Sequence, residues 1–425
     1  MPPPVAEATD LRFDDIHDVA GKPRNPRLAA SLHFLADGMV FGTWAALIPS
    51  FKSRFALSEA QLSVVLLAIA AGAIFSMPAA GRTVARHGSR ANLRIFAPAF
   101  CVSLALLVLS PHFKLFVAAA FLFGAVKGAF NVSVNSQAIA IENAAGKPII
   151  SSFHALWSLG GMSAALVVGA ALKIGLSPAS VAIGIAAVLL AVVTVFHSHL
   201  LGGDAAPKSA AKEKFLFPDG KLLRIGIVTF MVLFAEGVMM DWSVVYARTI
   251  SGAEAWLAPV AYGVFSGCMA LGRLFGGSLI SRLGPSGMLT AGGIFTTAGL
   301  AVVTGIHHWP ATFVGLALTG FGLANLVPIL FGAGGRAHEG GAGNGIATVS
   351  IMGYFGFLIG PPLIGGISHQ AGLPAAFALV VAFAFFIAAF GNRFLGKITT
   401  TNESLRLPAT PSGMPVASSS TWMAC

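Results

Sequence analysis

Ala36-Asp37-Gly38 and Ala235-Glu236-Gly237 each set a carboxylate in the middle of a long apolar stretch. An ionised side chain inside a hydrocarbon layer costs about 3 kcal/mol or more, so it is rarely found there without a partner or a task. The two stretches lie 199 residues apart, at matching places in the two halves of the chain. The doubling predicts a duplicated helical bundle with a polar site between its copies.

Outward from these stretches the chain is apolar throughout. Of 425 residues 56% are hydrophobic and only 10% charged, against about 25% charged for a water-soluble domain. Apolar runs of about 20 residues, the length that crosses a hydrocarbon core, recur at 28–50, 60–80, 93–110, 115–140, 151–172, 178–200, 222–247, 256–280, 286–306, 310–332, 344–367 and 372–395. The fold class is therefore an all-α membrane protein of twelve transmembrane helices in two pseudo-symmetric six-helix halves. The short alternating strands of a membrane β-barrel are not seen. Residues 1–26 read as a disordered N-terminus without a signal peptide, 27–200 as the first bundle, 201–221 as a polar linker, 222–397 as the second bundle and 398–425 as a Ser/Thr/Pro-rich disordered tail. Cys101, Cys268 and Cys425 make neither a disulfide framework nor a metal site, and no cofactor is expected.

The net charge of +10 has a topological explanation. With the N-terminus inside, cytoplasmic segments hold 19 of the 26 lysines and arginines, and the opposite side holds Lys52, Arg54, Lys114, Lys173 and Arg248. Lys127 and Arg273 fall within spans. This positive-inside bias places both termini of a multi-pass membrane protein in the cytoplasm and replaces nucleic acid with the bilayer as the partner of the basic residues.

A shift of 196 residues brings the halves into register: Gly81, Arg86 and Gly88 onto Gly277, Arg282 and Gly284, Gly124 onto Gly320, Gly160 onto Gly356 and Gly169 onto Gly365. In a chain with 50 glycines any single match is weak. Their common offset at equivalent points is the signal.

These residues also carry a family likeness. Gly81-Arg-Thr-Val-Ala-Arg86-His-Gly88-Ser-Arg90 resembles the loop motif of the major facilitator superfamily, with Ala85 where an acid is usual and Ser89 in place of a basic residue. The second copy, Gly277-Ser-Leu-Ile-Ser-Arg282-Leu-Gly284, lacks the acid too. Gly81, Arg86, Gly88, Arg90, Gly277, Arg282 and Gly284 are thereby the expected gating loops, without the charge relay that depends on the acid. Phe153-His-Ala-Leu-Trp-Ser-Leu-Gly-Gly161, Glu236-Gly-Val-Met-Met-Asp-Trp-Ser243 and Gly360-Pro-Pro-Leu-Ile-Gly365 are similar to a bacterial branch near the fucose permeases. The resemblance implies that the first, fourth, seventh and tenth spans line a central cavity.

Depth and spacing place chemistry on those spans. Asp37, Lys127 and Glu236 each lie about ten to fourteen residues into their span, near mid-bilayer at about 1.5 Å per residue. His33, Asp37, Phe41 and Trp44 share one helical face, and Lys127, Asn131 and Asn135 another. Asp37 is either a substrate or proton site between aromatic rings or an internal ion pair, and Lys127 either grips an anionic substrate or partners Asp37. Desolvation of a carboxylate in an apolar wall favours its protonated form, which makes Glu236 and Asp37 candidate proton carriers. Asn325 joins the candidate site from the tenth span. His154 and Trp157 are substrate contacts or a packed ring pair. Asp241 reads as a helix-end contact with Arg248, Arg273 as a residue that snorkels or pairs near the cytoplasmic face, and Gly334–Gly345 as a hinge loop.

No catalytic constellation is found. His338-Glu-Gly-Gly-Ala342 lacks the second histidine of a zinc motif, Gly161-Met-Ser163-Ala-Ala165 lacks the closing glycine of a nucleophile elbow, and no phosphate loop is present. The expectation is a monomeric secondary transporter, not an enzyme, that moves a small sugar- or polyol-like solute with protons by alternating access. The alternative is a proton-driven exporter of a metabolite or drug.

Overall fold

The computed structural model describes residues 25–146, 149–202, 220–337 and 342–395. Tails 1–26 and 398–425 and linker 201–221 therefore fall wholly or largely outside the described residues. Within them the regular elements are helices α1 (Pro26–Arg54), α2 (Glu59–His87), α3 (Ser89–Leu109), α4 (Phe113–Ala145), α5 (Ile150–Lys173), α6 (Pro178–Phe196), α7 (Gly220–Thr249), α8 (Pro259–Gly305), α9 (Trp309–Leu323), α10 (Leu326–Ala337), α11 (Ala342–Ala371) and α12 (Leu373–Leu395). A short 3-10 turn follows α6 at His197–His199.

Local chemistry sets several starts. Asn25 accepts a hydrogen bond from the Leu28 amide ahead of Pro26. Ser58 and Gln61 form a reciprocal capping box at α2, and Ser177 caps α6 ahead of Pro178. Such caps satisfy amides that the first helical turn leaves without partners.

Eleven helical stretches are long and apolar enough to cross a membrane. The longest, α8, has 47 residues, or about 70 Å at 1.5 Å per residue, over twice a hydrocarbon core. It is two spans joined at Gly284, where φ is 68° and ψ is 166°. The described residues thus supply twelve segments long and apolar enough to cross a membrane. Gly88, 196 residues earlier, turns α2 into α3 with φ 82° and ψ 160°. Only glycine adopts this region without strain. The loops expected around these glycines shrink to the glycines themselves. Gly81 and Arg86 lie in the last turns of α2, Arg90 in the first turn of α3, and Gly277 and Arg282 in the first arm of α8, because one positive-φ residue suffices to reverse the chain.

A methyl group at Gly284 would meet nothing within 4 Å, nor would one at Gly81. Gly284→Ala is therefore a pure test of backbone strain. It should lower stability by about 1–3 kcal/mol, whereas Gly81→Ala, inside a helix, should raise it by about 0.5–1 kcal/mol. Thermal unfolding of both variants in detergent checks this.

The other matched glycines make equivalent close approaches. A methyl at Gly124 would strike the Ile69 carbonyl, and one at Gly320 the Phe265 carbonyl. Gly160 meets the Leu35 carbonyl of α1, and Gly356 the Phe230 carbonyl of α7. Sequence offset and three-dimensional contact coincide, as a duplicated bundle requires. In the first half α2 packs on α4, α1 on α5, and α3 on α4 and α6; in the second α7 packs on α11 and α12, and α8 on α9 and α12. The halves meet where α5 packs on α8 and α2 on α11, two seams that the repeat interchanges.

Two expectations are corrected. The tenth span, read as continuous, breaks at Ala324–Asn325 between α9 and α10. Most of the stretch read as a hinge loop is helix, since α10 runs to Ala337 and α11 begins at Ala342; His338–Gly341 lie outside the described residues.

Candidate functional site

Two buried ion pairs stand at the heart of the molecule, one built on each repeat-related carboxylate. Asp37 is 1% exposed, and both its oxygens lie 2.7 Å from Lys127 Nζ. Three aromatic rings surround that ammonium: Phe41 at 5.9 Å, Phe100 at 5.8 Å and Trp157 at 5.6 Å. A desolvated cation is attracted to ring faces, so the cage supplements the carboxylate. Gly38 makes room for it, since any side chain there would collide with the Trp157 carbonyl.

Glu236, 6% exposed, faces Arg273 Nη2 at 3.4 Å. The guanidinium does more than balance this charge. Nη1 donates to Ser158 Oγ at 2.7 Å and to the His154 carbonyl at 3.3 Å. Nε donates to the Ala324 carbonyl at 3.4 Å, where the tenth span breaks. A broken helix leaves carbonyls that need partners within the membrane, and Arg273 supplies one. One side chain thus ties α7 and the α9–α10 break to α5 of the other half.

Arg273 is the residue whose role the sequence hid. Hydropathy ends the eighth span at residue 280, which sets Arg273 near a helix end. The arm runs to Gly284, which puts Arg273 about 16 Å from the turn. The available signal was that Lys127 and Arg273 are the two cations within spans.

Helix α5 connects the pairs. Trp157 leans on Lys127 while its neighbour Ser158 binds Arg273. The Gly160-Gly161 dipeptide lets α5 lie tight against both partners, Gly160 against α1 at Leu35 and Gly161 against α8 at Ser266 and Tyr262.

The remaining candidates divide. Phe41 and Trp157 stand 6.3 Å apart beside Lys127. His154 is half-buried and meets the Phe34 ring edge-on at 5.5 Å. Asn131 and Asn135 are half-buried, with Asn135 donating to the Asn131 carbonyl at 2.8 Å. Asn325 donates to the Gly272 carbonyl at 2.7 Å and so pins the break in the tenth span to α8. Trp44 is fully buried among Phe51, Phe116 and Phe123 and is not among the rings around Lys127. His33 bonds the Ala29 carbonyl through Nδ1 at 2.8 Å. The expected contact between Asp241 and Arg248 is not made. Arg248 donates to the Ala253 carbonyl at 2.9 Å in the turn that follows α7. No cluster of three or more metal-ligating side chains occurs among the described residues.

The comparisons agree with this architecture. The family model described as Major Facilitator Superfamily matches residues 29–347. An uncharacterised MFS-type transporter of Yersinia pestis is 34% identical over 375 residues, covering 88% of this chain and 97% of its own. The uncharacterised transporter y4wD of Sinorhizobium fredii is 32% identical, covering 84% and 94%. Among solved structures, a variant of the nucleoside transporter NupG superposes with a TM-score of 0.72 over 88% of this chain and 100% of its own, at 14% identity.

Proposed function

We propose, on the premise that this chain belongs to the major facilitator superfamily, that it carries a small sugar- or polyol-like solute between the two sides of a bacterial inner membrane by alternating access. The observation that supports this reading is the pair of repeat-related carboxylates, each buried and matched to a cation within its own half, with Arg273 reaching on to α5 of the other half. Substrate sites of such carriers lie near the midplane between repeats. Charges kept in that position need a function to offset their desolvation.

In this reading the solute enters between the halves beside Phe41, Trp157 and the polar stripe of Asn131 and Asn135. The aromatic rings cover its apolar face, and the amides bond its hydroxyls. A proton taken up by Asp37 or Glu236 frees Lys127 or Arg273 to rearrange, which links proton entry to reorganisation of the seam. The positive-inside distribution supports a cytoplasmic location for both termini. The narrower likeness to fucose permeases supports a sugar or polyol.

Purified protein heated with sugars, polyols, organic acids and cationic drugs tests the solute class. Stabilisation by a sugar or polyol is expected, followed by accumulation of that solute in proteoliposomes under an imposed proton gradient. The doubly neutral Asp37→Asn, Lys127→Met protein should lose that accumulation while remaining folded. Stabilisation by bulky drugs alone would move the assignment to an exporter.

A further inference from the structure

Cations are scarce on the face that the charge bias assigns to the exterior. Lys52, Arg54, Lys114, Lys173 and Arg248 are its five, out of 26 in the chain. Helical membrane proteins keep lysine and arginine off that face, so cations retained there call for a reason. Three of the five share one place. A cavity of about 670 Å³ opens between the C-terminal ends of α1 and α7, and Lys52, Arg54 and Arg248 all line it.

The cavity lies where the two halves face one another. Ala46, Pro49 and Ser50 line it from α1, and Val245, Arg248 and Thr249 from α7. These are repeat-equivalent triplets, each pair 199 residues apart. The charges do not follow the repeat. Lys52 and Arg54 correspond to Ser251 and Ala253, and Arg248 corresponds to Pro49. Duplication accounts for the walls of the cavity and leaves its cations unaccounted for.

No acid is among the residues that line it. The same face carries two carboxylates, Glu59 and Glu254. Glu59 pairs with Lys52 at 3.1 Å, and Glu254 accepts from Trp256 Nε1 at 2.7 Å. Arg54 donates to the Val108 and Ser110 carbonyls, and Arg248 donates through Nη1 to the Ala253 carbonyl. Those acceptors are neutral, so among the described residues both guanidinium charges stand without a counter-ion. Each guanidinium has five N–H groups, more than these carbonyls occupy. Ser50 and Ser53 add hydroxyls to the same wall. Two unbalanced cations with donors to spare suit a carboxylate, and a cleft lined by one sign of charge concentrates anions.

We propose that this cavity is the exterior docking site for a carboxylate borne by the transported solute, held by Arg248 and Arg54. The inference rests on the carrier reading above and narrows its solute to an acidic one, a sugar acid or polyhydroxy acid. Ala46, the innermost lining residue of α1, stands about 13 Å along the helix from Asp37. Proton uptake by Asp37 frees Lys127 to receive the same carboxylate deeper in the molecule. One carboxylate crossing with one proton adds no net charge to the membrane interior, where charge is costliest.

The test uses matched probes on the full-length protein: gluconate against glucitol, and glucuronate against glucose, scored by thermal stabilisation. At least one acid should outperform its neutral counterpart, and its advantage should shrink as salt is raised. Arg248→Gln should weaken the apparent affinity for that acid about 10-fold, and Arg248→Lys should restore part of it. Lys114→Gln, which removes an exterior cation outside the cavity, should bind as the wild type does. A single size-exclusion peak and a cooperative ligand-free melting transition establish that the variants are folded. The proposal is overturned if neither acid exceeds its counterpart, if folded Arg248→Gln keeps the full preference, or if Lys114→Gln loses as much of it. It is also overturned if micelles doped with phosphatidylglycerol, and neither acid, stabilise the wild type above Arg248→Gln, which would make the cavity a lipid-headgroup site. Proteoliposome uptake of neutral solutes without an acid preference sinks this inference alone, whereas uptake of no solute of either kind sinks the carrier reading.

Discussion

Lys127→Ala will be among the most damaging single substitutions in the chain. It leaves Asp37 buried with no counter-ion, and breaking a buried pair in this way costs about 3–5 kcal/mol. It also empties the cage of Phe41, Phe100 and Trp157. Asp37→Asn should cost a similar amount by stranding the ammonium. Replacing both at once, as Asp37→Asn with Lys127→Met, removes the charges together and should recover most of that loss. A double-mutant cycle on thermal or denaturant unfolding in detergent measures the coupling. Additive losses would mean that the two residues stabilise the bundle independently and do not act as an ion pair.

The second large effect is expected at Arg273. Arg273→Met strands Glu236 and removes the donor shared by Ser158, His154 and Ala324. The stranded carboxylate alone predicts a loss of about 3–5 kcal/mol. Arg273→Lys should rescue little of it, because a single ammonium cannot reproduce a planar fork that meets acceptors in several directions. A further signature separates a link between halves from a local stabiliser. Spin labels at Ser50→Cys and Thr249→Cys, which face each other across the cavity between α1 and α7, should show a broadened distance distribution when Arg273 is replaced. Ser158→Ala, which removes one charge-assisted hydrogen bond worth about 1.5–3 kcal/mol, should broaden it in the same direction. An unchanged distribution in both variants would show that the seam is held elsewhere.

Much of the architecture was legible because glycine records backbone proximity. Gly124 and Gly320, or Gly160 and Gly356, recur at one offset since each lies where a neighbouring carbonyl excludes a side chain. Gly88 and Gly284 recur because each turn demands positive φ. Such constraints are local and repeat with the fold. The ion pairs were only half legible for the opposite reason. Asp37 and Glu236 are repeat-related, but their cations are not: Lys127 comes from α4 and Arg273 from α8. No pattern along one helix announces a partner on another. The break at Ala324–Asn325 was hidden too, since hydropathy runs through it without interruption and the Arg273 that meets its Ala324 carbonyl lies on another helix. Asp241 was misjudged by proximity in sequence, because Arg248 was the nearest cation on the same helix but is drawn away by the Ala253 carbonyl.

The two seams between the halves are interchangeable by symmetry yet unlike in substance. Along α5 and α8 run hydrogen bonds from Arg273 to His154 and Ser158, from Ser151 to the Arg273 carbonyl and from Ser266 to the Ser158 carbonyl. Along α2 and α11 the close approach is Gly365 against Ser63 and the Glu59 carbonyl. A door with its hinge on one jamb swings from the other. In the alternating-access cycle proposed above, α5–α8 should act as the pivot and α2–α11 as the free edge, so that one rigid bundle rotates past another about an axis displaced from its own centre.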